Sequence, residues 1–148
     1  MHFEKSYLPA FTVVGIACQA SDARPEVKAE LWRRLRQEKA AKQILERTSD
    51  AIYALYCDYE SDNTGAYTYV LGYEVPSNSV ITEDPPKGMV VAVVPAARYA
   101  VIEARGKQPE TLMGVWDHIL NSALARTYVC DFEVHWGPVA IEVHIGIA

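Results

Sequence analysis

The first third of the chain passes from an apolar run to a charged one. Residues 11–18 are apolar and rich in β-branched side chains, so they predict a buried strand after a short lead-in at 1–10. Residues 26–47 are rich in helix-forming side chains and follow Pro25, which suits the first turn of a helix. The pattern predicts one long helix whose apolar stripe is less regular in its middle.

A tyrosine-rich hairpin follows this helix. Residues 51–60 and 66–75 indicate two strands, joined by a Ser-Asp-Asn-Thr-Gly turn. Six of the nine tyrosines lie between Tyr53 and Tyr73. This density has two interpretations, because tyrosine favours half-buried pleated surfaces and also forms stacking walls for flat ligands.

The second half of the chain repeats this order after a loop with three prolines. The loop covers residues 76–88, and it is the longest irregular stretch. Four further strands are predicted, at 89–94, 98–105, 128–136 and 140–147. The last of them alternates apolar and polar side chains, which is typical of a strand with one buried face.

The helix predicted at 109–125 has the clearest pattern, with apolar residues at i, i+3, i+4, i+7 and i+8. Each half of the chain therefore has the order strand, helix, strand, strand, with pseudo-repeats at about 11–75 and 89–147. We predict an α+β fold of duplicated modules in a single domain, residues 1–148. Antiparallel sheets, two main helices and a ligand cleft between the modules complete this prediction.

Composition excludes several classes of function. The net charge of -5 disfavours a nucleic-acid surface, which needs clustered Lys and Arg, so we expect no direct nucleic-acid binding. The three cysteines and four histidines lack metal-ligand spacing, so neither a metal site nor a disulfide framework is expected. No signal peptide or membrane-spanning run is evident, which predicts a cytoplasmic protein without membrane contact.

The sequence contains none of the common nucleophile, phosphate-loop, dinucleotide or zinc-protease motifs, and it implies no cofactor. Glu133 is the candidate of most interest. Strand alternation places it on one face with Asp131 and His135, opposite Phe132. That face is either solvated or the wall of a cleft, where a carboxylate among aromatic rings would attract an organic cation.

The order of several motifs resembles the GyrI-like family, the effector-binding domains of AraC-type and MerR-type transcription regulators. The resemblance covers roughly residues 11–147. Its motifs are FTVVGI, YVLGYEV, VPAARYAVIEARG, DFEVHWGP and the helix that contains Trp116.

This resemblance implies a duplicated strand–helix–strand–strand fold with a cleft for lipophilic cations between the modules. It also implies that Glu133 is the cation-recognising residue. Tyr99 and Trp116 match aromatic positions of the family, although Trp116 also fits the apolar stripe of its helix. Aromatic side chains and one histidine complete the predicted ligand-binding set: Tyr56, Tyr73, Phe132 and His135.

Two positions depart from the family pattern. Ala97 stands where the family often has glycine, and His135 stands where it often has tyrosine. A histidine facing the pocket would add positive charge at low pH and weaken cation binding. The sequence also has no helix-turn-helix region before the domain, which predicts a stand-alone binding domain.

The sequence is compatible with three functional hypotheses. The first is a stand-alone protein that binds a lipophilic cationic small molecule. The second, which the GyrI-like resemblance implies, is a hydrolase of strained natural products, in which a glutamate and a tyrosine would activate water or polarise the substrate. The third is a protein-interaction module of the gyrase-inhibitor type, for which an exposed edge strand would be the binding surface. Edge strands would also allow a homodimer or a separate protein partner.

Overall fold

The predicted strands pair into one antiparallel sheet. The computed structural model describes residues 2–148. In them the strands are β1 (Glu4–Leu8), β2 (Phe11–Ala20), β3 (Ile52–Cys57), β4 (Tyr67–Val75), β5 (Val90–Val94), β6 (Ala97–Arg105), β7 (Cys130–Gly137) and β8 (Ala140–Ile147). The helices are α1 (Pro25–Gln37), α2 (Ala40–Gln43) and α3 (Glu110–Leu120).

Apart from the two outermost strands, each half of the chain forms one half of the sheet, whose order is β1-β6-β8-β7-β3-β4-β2-β5. The outermost strands are exchanged, since β1 pairs with β6 of the second half and β5 pairs with β2 of the first. The strands β2, β4 and β3 are neighbours in the first half, and β6, β8 and β7 repeat that arrangement in the second. The halves join where β3 pairs with β7. The predicted α+β fold of duplicated modules is therefore confirmed, with the two modules sharing a single sheet.

Both long helices cover the same face of the sheet. Directly paired residues lie on one face, and Ala54, Glu133 and Val143 are paired across β3, β7 and β8. Ala54 packs in the cluster that contains Leu31 and Leu35 of α1, and Val143 packs with Val115 and Ile119 of α3. We call this side the helix face.

The opposite face holds a second cluster, which includes Tyr53, Leu55, Tyr99 and Phe132. No helix is needed to bury it, because the sheet curves round on itself. Leu8 at the end of β1 pairs with Ala97 of β6, and Phe11 at the start of β2 pairs with Val94 of β5. The β1–β6 and β2–β5 pairs therefore share one register, interrupted only by residues 9–10 and 95–96. Three peptide steps separate Leu8 from Phe11, or at most about 11 Å, so this ladder brings the two ends of the sheet together.

Two predicted boundaries in the first half of the chain were wrong. Of the predicted lead-in at 1–10, Glu4–Leu8 form β1 on the edge of the sheet, while residue 1 lies outside the described residues. The first helix ends at Gln37 instead of residue 47, and the chain turns at Lys39, which has a φ of 54°. A longer helix would have carried the charged Glu38 and Lys42 onto the sheet, whereas the turn buries Ile44.

The second helix is also shorter than predicted, since α3 ends at Leu120 instead of residue 125. Leu124 still packs against the α3 cluster, so its place in the apolar pattern reflects burial after the helix has ended. None of the helices within residues 2–148 has the length and apolar character needed to cross a membrane.

Candidate functional site

A cavity lies between α1 and α3, above the seam where β3 pairs with β7. Its volume is about 450 Å³, within the range of small-molecule sites. Aromatic rings form much of its wall, from Tyr56, Tyr59, Tyr67 and Trp116. Leu112, Met113 and Leu120 of α3 add apolar surface to one side. The cavity can therefore hold a ligand with a large apolar body.

Glu133 lies in the floor of this cavity and is only 2% exposed. Its Oε2 atom accepts hydrogen bonds from the Tyr56 hydroxyl and the Trp116 indole N–H, each at 2.8 Å. Its Oε1 atom lies 2.7 Å from Nε2 of His135. Three elements thus hold one buried carboxylate, since Tyr56 belongs to β3, Trp116 to α3 and His135 to β7.

These contacts keep Glu133 charged. Burial on its own raises the pKa of a carboxyl group. The hydrogen bond and charge of His135, with the bonds from Tyr56 and Trp116, outweigh burial and hold the pKa of Glu133 below its ordinary value. Burial and the nearby Glu133 carboxylate raise the pKa of Tyr56, so its hydroxyl stays protonated and donates.

A second carboxylate, Asp131, lies two residues earlier on the same face of β7 and is fully buried. It accepts hydrogen bonds from the Tyr59 hydroxyl at 2.6 Å, Arg126 Nη2 at 2.8 Å and the Gly146 backbone N–H at 2.8 Å. The Arg126 side chain is itself only 6% exposed. This charge is therefore matched by a buried arginine, whereas the partners of Glu133 are His135 and two neutral donors, Tyr56 and Trp116.

One further cation faces the cavity. The Lys28 ammonium lies over the ring of Tyr56 at 5.2 Å and over that of Tyr69 at 5.6 Å, both within cation–π range. The two rings are 5.1 Å apart and meet edge to face. No carboxylate of residues 2–148 lies within 4.0 Å of this ammonium.

The structure brings four of the predicted site residues together, namely Glu133, Tyr56, Trp116 and His135. Trp116 packs against the clusters of both modules and also donates to Glu133, so it belongs to the core and to the cavity wall. His135 lies beside the carboxylate, and its ring is 4.8 Å from that of Trp32.

The other three predicted residues lie elsewhere. Tyr99 and Phe132 pack against each other on the opposite face of the sheet, with ring centroids 5.2 Å apart. Tyr73 is on the helix face, but its ring contacts the Arg47 guanidinium at 5.9 Å and does not line the cavity. Strand alternation explains the separation of Phe132 from Glu133, because adjacent strand residues point to opposite faces.

Sequence reasoning missed several residues of the cavity wall, including Lys28, Tyr59, Tyr67 and Arg126. The tyrosine-rich hairpin was the available signal for Tyr59 and Tyr67, whose rings lie 5.6 Å apart. Lys28 gave no signal, since it resembles the other charges of an exposed helix. Within residues 2–148, no group of three or more His, Cys, Asp or Glu side chains is placed to hold a metal ion.

Comparison with known proteins identifies the family and the fold of this chain. Residues 6–147 match the family model of Cass2, the integron-associated effector binding protein. The transcriptional regulator BrlR of Pseudomonas aeruginosa is 31% identical over 141 residues, which cover 91% of this chain and 48% of BrlR. The chain thus spans about half the length of this curated relative.

Two solved structures share the fold over nearly their whole length. An integron cassette protein from the mobile metagenome of Vibrio cholerae has a TM-score of 0.79 and 24% identity, with 99% of this chain and 95% of that chain covered. SAV2435, bound to tetraphenylphosphonium, has a TM-score of 0.79 and 22% identity, with 100% and 94% covered.

Proposed function

Since this chain belongs to the Cass2 family of integron-associated effector-binding proteins, we propose that its cavity binds a lipophilic organic cation. The GyrI-like resemblance in the sequence agrees with this membership. The observation that carries the proposal is Glu133, a carboxylate that is 2% exposed, held charged, and surrounded by aromatic rings in a cavity of about 450 Å³.

The hydrogen bonds of Glu133 favour a particular class of cation. A carboxylate offers about four lone-pair sites, and three are engaged by Tyr56, Trp116 and His135. A ligand with several N–H donors would find little free acceptor capacity here. A delocalised or quaternary cation needs only the field of the carboxylate and the faces of the rings. We therefore expect ligands without N–H groups.

The comparisons support this class of ligand. SAV2435, which shares the fold, is bound to tetraphenylphosphonium, a cation without N–H groups. BrlR is a transcriptional regulator, which supports a role in sensing the ligand. In such a role, the bound cation would stabilise the arrangement of α1, α3 and the floor of the cavity.

The pKa of Glu133 favours binding over hydrolysis. A general base works best when its pKa lies near the operating pH. The contacts of Glu133 hold its pKa below the ordinary carboxyl value, so the group is a weak base for activating water. A stable complex with unchanged compound is the expected behaviour.

A thermal-shift screen tests the proposed function. Tetraphenylphosphonium and the anion tetraphenylborate have matched shape and opposite charge. A cation at a hundred times its dissociation constant should raise the unfolding free energy by about 2.7 kcal/mol, or roughly 5–11 °C in the melting temperature. Tetraphenylborate should give no such shift.

Two Glu-to-Gln variants locate the site. Glu133→Gln should lose at least about half of the shift, while Glu142→Gln, on the opposite face of the neighbouring strand, should preserve it. Mass spectrometry of the recovered ligand should show intact compound. Equal shifts with the cation and the anion would refute the proposal, and conversion of the ligand would favour the hydrolase hypothesis.

A further inference from the structure

Building on the proposed function, we propose that Lys28 is an intramolecular competitor of the cationic ligand. Its ammonium covers the Tyr56 and Tyr69 rings, and an incoming cation must displace it. The consequence is selectivity: the site rejects compact cations and accepts those that carry their charge on a large apolar body.

The geometry places Lys28 where a ligand cation would gain most. Its ammonium is 5.2 Å from the centroid of Tyr56, and the hydroxyl of that same tyrosine donates to Glu133 at 2.8 Å. Lys28 therefore lies over the ring face of the same tyrosine whose hydroxyl binds Glu133. Both residues line the cavity, so a cation bound near Glu133 would meet the positive charge of Lys28.

Comparison with Arg126 shows why Lys28 can be displaced. Arg126 also lies over a tyrosine, 4.4 Å from the centroid of Tyr128, but it is fixed by the buried Asp131 at 2.8 Å. Lys28 has no such carboxylate partner within residues 2–148. It is half-buried on the second turn of α1, and a cation–π contact of that kind shifts an equilibrium only about two- to fivefold.

Displacement determines which ligands bind. A compact cation such as tetramethylammonium replaces one ammonium with another over the same rings, so its net gain is small. A bulky aryl cation makes the same exchange and in addition buries apolar surface against Leu112 and Met113. The native ligand class is therefore a bulky, delocalised cation.

Isothermal titration calorimetry with two Lys-to-Met variants tests this inference. Lys28→Met keeps an unbranched side chain, one atom shorter, and removes its charge. Lys42→Met makes the same change on an exposed residue outside the cavity. We expect Lys28→Met to bind tetraphenylphosphonium about two- to fivefold more tightly than the wild type and to acquire measurable binding of tetramethylammonium. Lys42→Met should match the wild type.

A second measurement uses only the wild-type protein. In a ¹H–¹³C spectrum of the wild-type protein, the ring currents of Tyr56 and Tyr69 should displace the Lys28 ε-CH₂ protons upfield of those of Lys42. Tetraphenylphosphonium should return the Lys28 signal to the position of an exposed lysine. Lys28 protons that already resonate with those of Lys42, or that do not move on titration, would overturn the inference.

The binding data separate the two proposals. Equal or weaker binding by Lys28→Met, alongside wild-type binding that depends on Glu133, would overturn the role of Lys28 and leave the proposed function intact. Absence of tetraphenylphosphonium binding in the wild type and in both lysine variants would refute the proposed function and the role of Lys28 with it.

Discussion

Replacement of Asp131 by asparagine should be among the most destabilising single changes in this chain. The Asp131 carboxylate is fully buried and accepts three hydrogen bonds, from Tyr59, Arg126 and the Gly146 backbone. Asparagine keeps one carbonyl oxygen and loses the negative charge. The Arg126 guanidinium would then remain buried without its counterion, which is the costly way to break an ion pair.

The expected cost follows from burial. Removing one partner of a buried ion pair lowers the free energy of unfolding by about 3–5 kcal/mol, and for a chain of this length that corresponds to roughly 6–20 °C in the melting temperature. Urea unfolding at neutral pH measures the free energy, and a thermal scan gives the temperature. Replacing both partners, as Asp131→Leu with Arg126→Met, should recover much of the loss, because no charge is left buried.

A surface pair provides the control. Arg47 and Asp50 are 2.9 Å apart, but the Asp50 side chain is 91% exposed. Asp50→Asn should therefore cost less than about 1 kcal/mol. An equal loss of unfolding free energy in Asp131→Asn and Asp50→Asn would refute the conclusion that Asp131 is needed to balance the buried charge of Arg126.

Three further predictions concern the site and the sheet. The pKa of Glu133 is depressed in the fold, so its stabilising contribution is present above the ordinary value of 4.5 and is lost as the pH falls through the folded value. Urea unfolding at several acidic pH values should show a shallower fall for Glu133→Gln than for the wild type. Trp116→Phe removes an N–H donor from Glu133 and should raise the pKa of that carboxyl, measured by ¹³C NMR. Gly72→Ala would place its Cβ 2.1 Å from the Val14 carbonyl oxygen, and a loss of stability below about 1 kcal/mol in urea would contradict that close approach.

The sequence predicted the fold well where one face of an element is buried and the other is not. The order of strands and helices, the duplication and the α+β class all followed from apolar periodicity. β1 was missed because four of its five residues are exposed, so it carries no such periodicity. Its place depends on pairing with β6, nearly a hundred residues later, and a local pattern cannot show that.

The candidate site was predicted only in part. Alternation correctly placed Glu133 and Phe132 on opposite faces of β7, yet both entered the predicted ligand-binding set. Deciding which aromatic residues surround Glu133 requires the lateral pairing of β3 with β7, which aligns Ala54 with Glu133 and places Tyr56 within reach. Lys28 was unpredictable for a related reason, since only the approach of α1 to the tyrosines distinguishes it from other exposed lysines.

The most direct test of the central claim is the charge preference of the cavity and its dependence on Glu133. Calorimetry would compare tetraphenylphosphonium with tetraphenylborate on the wild type, on Glu133→Gln and on the control Glu142→Gln. The wild type and the control should bind only the cation, and Glu133→Gln should bind it at least about tenfold more weakly. Equal affinity for both ions, or undiminished cation binding by Glu133→Gln, would contradict the central claim.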